Sequence, residues 1–468
     1  MPSSRFVNDL LDSLLTGARQ RWRRGARGGT DGAEAGDPGL PLRLAQQLLE
    51  ERSQSSGIAT AQQLLAAYGG LDVGAKGEFL GALAEQFGAD PAAIERALDA
   101  YRAAPSADAL GRVSKAAEPP RQELLRRLNQ APNATAALVA MRADILRLMR
   151  ERPVLSAFDA DFVHLLYSWF NRGFLVLRRI DWSSPADLLE RIIRYEAVHS
   201  IATWDELRDR LLPADRRCYG FFHPAMGDEP LIFVEVALTD AVPGSIQSLL
   251  AADRIVMAPE RARVATFYSI SNCQPGLAGI SFGQFLIKQV VDDLKGEFPG
   301  LETFVTLSPV PGFTAWLKAA AARGDAAAAA SLADGDPDAS WNEGDPRRQA
   351  RLALAARYFL VERDHRGRLI DPVARFHIGN GAALEHLCWL GDTSKRGLAQ
   401  AGGLMVNYLY DLATVEANHR AYARERTVAA APGVRALAPA QISRSTRSGS
   451  ESSVEWCDST IVSRRIAS

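Results

Sequence analysis

Apolar residues change their spacing once along this 468-residue chain, and that change limits the possible folds more than any other feature. From about residue 40 to 180 they return every three or four positions, as in RLAQQLLEE, EFLGALAEQFG and ALVAMRADILRLMRE. That is the period of one helix face. Near residue 215 the texture becomes short β-branched and aromatic runs: RCYGFFHP, PLIFVEVALT, VATFYSIS and TFVTLSPV. Such runs read as strands. The order predicts an α+β protein, with an all-helical bundle first and a mixed α/β domain after it. Helix start signals agree. Asp90-Pro91 sets a capping side chain before a proline at the first helical position. Ser184-Pro185-Ala186-Asp187 and Thr203-Trp204-Asp205-Glu206 have the form of capping boxes.

The domain boundaries follow from the same texture. Residues 1–37 are basic and read as a flexible segment, with Asp9 and Asp12 too acidic for a transit peptide. Residues 38–181 are expected to form the helical domain, 182–428 the mixed domain, and 429–468 a disordered tail rich in Ser, Arg, Ala and Pro. The alanine run and Asp/Gly/Pro-rich stretch at 319–349 read as a surface insertion or mobile loop, helical at first. A net charge of −1 gives no reason to expect nucleic acid as a partner. No apolar run is long enough to span a bilayer. Cys218, Cys273, Cys388 and Cys457 form no CxxC pair, and no HExxH occurs, so no metal site is expected.

Three segments can carry chemistry. In NCQPGLAGISFGQF (272–285), Gly276, Gly279 and Gly283 lead into the helix FGQFLIKQVVDDLKGEF, whose Phe282, Leu286, Val290, Leu294 and Phe298 form one stripe. Strand, glycine loop, helix and strand in that order let backbone N–H groups and a helix N-terminus face a phosphate. The spacing is neither GxGxxG nor a Walker loop. In VTLSPVPGF (305–313), Ser308 sits at a strand end before Pro309 and Pro311, which stiffen the exit. No GxSxG surrounds it, so a hydrolase nucleophile is not suggested. In FHIGNGA (376–382), Asn380 reads as the N-cap of a helix from about Gly381 to Leu390, with His386 inside it. His377 would then lie near the positive helix end, which favours neutral imidazole. Taken singly, each segment has a plain structural reading: a tight turn, a strand-end serine, a buried histidine.

As an ordered set, FYSISNCQPGLAGISFGQFLIKQVV, LSPVPGF, DPVARFHIGNGA and DTSKRGLAQAGGLMVNYLY resemble the malonyl-CoA decarboxylase family, supported by EPLIFVEVALT and RYEAVHSIATWDELRDRL. The resemblance is strong over about 180–425 and weaker before it. It implies a helical oligomerisation domain and a GNAT-like mixed α/β catalytic domain. It places the catalytic serine on Ser308 and the catalytic histidine on His377, with Tyr410 in support. The coenzyme A pyrophosphate loop falls on 274–284, with Ala278, Gly279, Ile280, Ser281, Phe282, Gly283 and Gln284 closest. Gly276, Asn380 and Tyr410 complete the expected substrate-binding set. Some relatives carry an acidic residue at the Ser281 position, so no acid–base role is assigned there. The implied partners are malonyl-CoA and further copies of the chain, in a homo-oligomer expected to be a tetramer, with no membrane partner. The C-terminal RRIAS lacks the family's SKL address, so a cytoplasmic location is expected.

The expected reaction is loss of CO2 from malonyl-CoA. The thioester carbonyl accepts the electron pair as an enolate, so no metal or organic cofactor is expected. Two other readings remain open at this point: an acyltransferase moving an acyl group from coenzyme A to an amine, and a non-catalytic acyl-CoA sensor.

Overall fold

A computed structural model describes residues 39–280 and 286–438. The basic segment 1–37, Ser281, Phe282, Gly283 and Gln284 of the glycine loop, and the tail from 439 lie outside the described residues. The chain divides into two compact units, 1–134 with 147–159, and 135–146 with 160–468.

The first unit is helical. Asp90 starts the Pro91–Ala103 helix by accepting from the Ala92 N–H, as the Asp-Pro signal predicts. Asp72 and Ser106 cap their helices in the same way. Leu44, Leu48, Leu64, Leu80, Leu83, Leu124 and Leu125 are buried. The Leu40–Glu50 helix ends against Arg127, whose Nη1 donates to the carbonyls of Leu48, Leu49 and Glu51 at 2.7–3.0 Å. A cation there satisfies carbonyls that have no partner within the helix.

The second unit holds an eight-stranded sheet. Its strands are β1 (Val176–Ile180), β2 (Arg216–Phe222), β3 (Pro230–Thr239), β4 (Val264–Asn272), β5 (Thr303–Thr306), β6 (Ser308–Pro309), β7 (Ala383–Cys388) and β8 (Met405–Leu409). The path runs β1-β2-β3-β4-β5-β8-β6, with β7 on β8. Only β4 and β5 pair in parallel. Their crossover contains the glycine loop and the Leu286–Glu297 helix, which buries Leu286, Val290 and Leu294. This is the strand–loop–helix–strand unit expected from the sequence, and it lies within a mixed α/β sheet domain. No described helix is long and apolar enough to cross a membrane.

Several local expectations change. β1 lies inside the stretch expected to be helical. Ser184 does not cap; Pro185 is the N-cap without a side-chain bond, and the Ser184 hydroxyl oxygen instead accepts from the Asp181 N–H. Thr203 does cap, accepting from the Glu206 N–H. Residues 313–360 are ordered as three helices, Phe313–Ala322, Ala326–Ala333 and Pro346–Leu360. The buried Trp341 anchors the connection, with Arg347 and Arg351 over its ring. The chain also stays structured past 428: Ala430 bridges Leu384, and the Pro432–Leu437 helix buries Val434.

The clearest correction concerns FHIGNGA. Asp371 caps a Pro372–Gly379 helix by accepting from the Ala374 N–H at 2.8 Å. His377 therefore sits in the last turn, and Asn380 is a C-cap. The Gly381 N–H bonds to Ile378 O and the Ala382 N–H to His377 O, both at 3.0 Å. Those two bonds make a Schellman ending, which needs a left-handed residue after the cap. Gly381 supplies it at φ +86°, and a Cβ there would meet Val415 O at 2.0 Å. The residues after Gly381 form β7, so His386 is on a strand. The decisive signal was Asp371-Pro372, which repeats the Asp90-Pro91 pattern.

Candidate active site

The strand that carries Ser308 is interrupted. Leu307 turns its N–H to Phe267 O at 2.9 Å, and β5 and β6 each pair separately with β8. Side chains fill the gap in the ladder. The Tyr408 N–H donates to Thr306 Oγ1 at 3.1 Å, and Asn407 Nδ2 donates to Thr306 O at 2.8 Å. Thr306 and Ser308, two residues apart, are buried on one face, and Ser308 Oγ donates to Thr306 Oγ1 at 2.9 Å.

The Pro372–Gly379 helix brings His377 to that corner. His377 Nε2 lies 3.2 Å from Ser308 Oγ, and Nδ1 lies 2.8 Å from the Tyr410 hydroxyl. The imidazole stacks on Tyr408, with centroids 4.6 Å apart and planes at 22°. Tyr358 lies between the helix and the serine segment. The Tyr358 hydroxyl donates to Asp371 Oδ2 at 3.1 Å, and the same hydroxyl lies 2.5 Å from where a Cβ on Gly312 would be. LSPVPGF and DPVARFHIGNGA are thus joined through Tyr358.

His377 is 3 % exposed. Burial lowers its pKa from the usual 6.5 to about 3, because the cation loses its hydration. The helix end works the other way from the sequence expectation. Its partial negative charge favours imidazolium, an effect of about 1 kcal/mol at most sites. Desolvation outweighs it, and the ring is neutral at pH 7. Burial also raises the Tyr410 phenol well above its usual value, so Tyr410 keeps its proton.

Two cavities flank this corner. One, of about 500 Å³, is walled by Leu277, Ala278, Gly279 and Ile280 of the glycine loop and by Arg375, Phe376, Gly379 and Asn380. The other, of about 310 Å³, is walled by Ile287, Lys288, Val291, Asn380, Tyr410 and the 412–420 segment. Asn380 borders both. Tyr410 lines the second cavity, and Ser308 and His377 line neither.

Residues 135–146 hold the loop. Arg142 Nη1 donates to Gly276 O at 2.7 Å and to Ala278 O at 2.9 Å. The Tyr167 hydroxyl donates to Gly279 O at 3.2 Å. Gly276 is a glycine because a Cβ would sit 1.8 Å from Val139 O. It lies under the loop, away from the cavity walls. The N–H groups of Leu277, Ala278 and Ile280 are used inside the turn, bonded to Gln274, Pro275 and Leu277 carbonyls.

Residues 173–448 match the family described as malonyl-CoA decarboxylase C-terminal domain, and residues 87–170 match malonyl-CoA decarboxylase N-terminal domain. The chain belongs to the malonyl-CoA decarboxylase family. It is 32 % identical over 429 residues to the mitochondrial malonyl-CoA decarboxylase of Mus musculus, covering 83 % of this chain and 87 % of that protein. Among solved structures it is similar to malonyl-CoA decarboxylase from Rhodopseudomonas palustris, with 54 % identity, a TM-score of 0.82, and coverage of 86 % of this chain and 100 % of that one. It is also similar to that from Agrobacterium vitis, with 51 % identity, a TM-score of 0.79, and coverage of 85 % and 99 %. A malonyl-CoA decarboxylase is a carboxy-lyase.

The structure brings Ser308, His377 and Tyr410 into contact and sets Ala278, Gly279, Ile280 and Asn380 around one cavity. It adds residues that sequence reasoning did not single out: Thr306, Asn407, Tyr358, Asp371 and Arg142. Only Asp371 had a local signature.

Proposed function

We propose that this chain converts malonyl-CoA to acetyl-CoA and CO2 through a thioester enolate, with Ser308 and His377 as the working pair. The observation that carries this reading is the buried Tyr410–His377–Ser308 chain beside a cavity walled by the glycine loop. Decarboxylation leaves an electron pair on the α-carbon, and the thioester carbonyl takes it up, so no separate cofactor is required. The site has to hold the breaking C–C bond perpendicular to the carbonyl plane and supply a donor to the developing oxyanion. Ser308 orients the malonyl group. His377, neutral and fixed by Tyr410, donates a hydrogen bond to the thioester oxygen as CO2 leaves and the enolate forms, and the α-carbon then takes one proton from solvent. A neutral imidazole suits the donor role, since burial disfavours a free imidazolium acid. The coenzyme A arm, bound along the loop, supplies binding energy for positioning. A homotetramer assembled through the helical region and operation in the cytoplasm belong to the same reading; sedimentation and cell fractionation test them.

The deciding experiment incubates purified protein with malonyl-CoA and no acceptor. Acetyl-CoA and CO2 in equal amounts are expected. An acyltransferase would give neither without an amine, and a sensor would bind without turnover. His377→Ala, checked for folding, should lower kcat by roughly 100-fold or more, as loss of one preorganised donor does, and Ser308→Ala should lower it by about tenfold or more through misplacement of the imidazole and the malonyl group. Near wild-type kcat in either variant removes that residue from the pair.

A further inference from the structure

The hydrogen bonds around Ser308 run in one direction, and Thr306 sets it. Ser308 Oγ has one proton. It is donated to Thr306 Oγ1 at 2.9 Å. The same Thr306 oxygen accepts the Tyr408 N–H at 3.1 Å, which pins it in the ladder gap. What Ser308 turns toward His377 Nε2, 3.2 Å away, is therefore a lone pair. The imidazole must supply the proton for that bond. A neutral ring carries one N–H, so Nδ1 is left as the acceptor and takes the Tyr410 O–H at 2.8 Å.

We propose that Thr306 is a positioning residue that binds the Ser308 proton and so holds His377 in the Nε2–H form, with its proton toward the reacting group. This rests on Ser308 and His377 being the working pair, and it decides which of the two carries the useful proton. Ser308 Oγ is the acceptor that keeps the Nε2–H aimed until a substrate oxygen replaces it. The opposite arrangement, with Ser308 O–H donating to the imidazole, is the one that activates a serine nucleophile. Thr306 withholds that arrangement, which fits a site that breaks a C–C bond and leaves the thioester intact. No charge changes in this step: the bonds are reoriented and no atom is transferred.

The test reads the tautomer directly. The full chain is labelled with ¹⁵N-histidine, and among seven histidines the His377 signals are found by their loss in His377→Gln. The ligand-free wild type should show a protonated Nε2 and an unprotonated Nδ1. A protonated Nδ1 in the wild type overturns the proposal, even if Thr306→Val does not fold. In Thr306→Val the serine proton has lost its acceptor, and the His377 signals should move toward the Nδ1–H form. The kcat should fall at least about tenfold, within the roughly 100-fold that a 1 Å misplacement costs, with KM little changed. Thr306→Ser, which keeps the hydroxyl oxygen, should restore both the tautomer and kcat. Unmoved signals in Thr306→Val, or moved signals with wild-type kcat, reject the assignment. Because the spectrum is taken without substrate, it stands or falls separately from the assay of Ser308→Ala and His377→Ala.

Discussion

The Ser308–His377 corner and the glycine loop are both built on the central strands, but they are held by opposite means. At the corner, buried side chains bond to one another: Tyr410 to His377, His377 to Ser308, Ser308 to Thr306. At the loop, backbone groups are held from outside, with Arg142 and Tyr167 gripping three carbonyls and Val139 pressed against Gly276. The contrast suits the tasks proposed for the two places. A donor to a developing charge has to be preorganised to a fraction of an ångström, which buried side-chain networks achieve. A loop proposed to face a flexible phosphate arm needs its backbone shaped, and a cation on its carbonyls does that.

Three measurements press on this difference. The largest effect is expected from Arg142→Met. It keeps the packing and deletes two hydrogen bonds from a charged donor, each worth about 1.5–3 kcal/mol. KM for malonyl-CoA should rise tenfold or more while kcat stays within about twofold. A fall in kcat at constant KM would erase the distinction between loop and corner. Next is Tyr410→Phe, which removes the donor to His377 Nδ1 and leaves the ring in place. Loss of a neutral bond of about 1 kcal/mol predicts a kcat several-fold lower at unchanged KM. A purely raised KM would make Tyr410 part of the cavity wall alone.

The smallest signal is in acid stability. The His377 pKa is depressed to about 3 in the folded protein against about 6.5 when unfolded. The unfolded chain thus takes up a proton first. The stability tied to the neutral ring is fully present above pH 6.5 and is lost progressively as pH falls toward 3. At pH 6 the loss is about 1 kcal/mol. His377→Gln cannot titrate, so its melting temperature should fall less steeply between pH 7 and 5 than that of the wild type. Equal slopes would mean the ring is hydrated. His199, lowered to about 4 mainly by burial, keeps part of the slope in both proteins.

Much of the fold was legible because it is written locally. The helical period, the β-branched runs, the Asp90-Pro91 cap and the strand–loop–helix–strand order each depend on residues a few positions apart. The errors were local too. Asn380 next to glycine fits either end of a helix, and only Asp371-Pro372 upstream shows which end is meant. TFVTLSPV reads as one strand because nothing in it marks Leu307 as the break, where Thr306 and Asn407 stand in for missing ladder bonds.

The sequence by itself determined the two textures, the order of the motifs, the family resemblance, and Ser308, His377 and Tyr410 as the residues to watch. Tertiary structure alone decided how they meet. His377 reaches Ser308 across 69 residues, and Arg142 reaches Gly276 across 134. It also decided that His377 is neutral through burial instead of through a helix N-terminus. Periodicity records which face of a segment is covered. It holds no record of which buried polar atoms will find each other, because those pairings have no fixed spacing along the chain and arise only when distant segments pack.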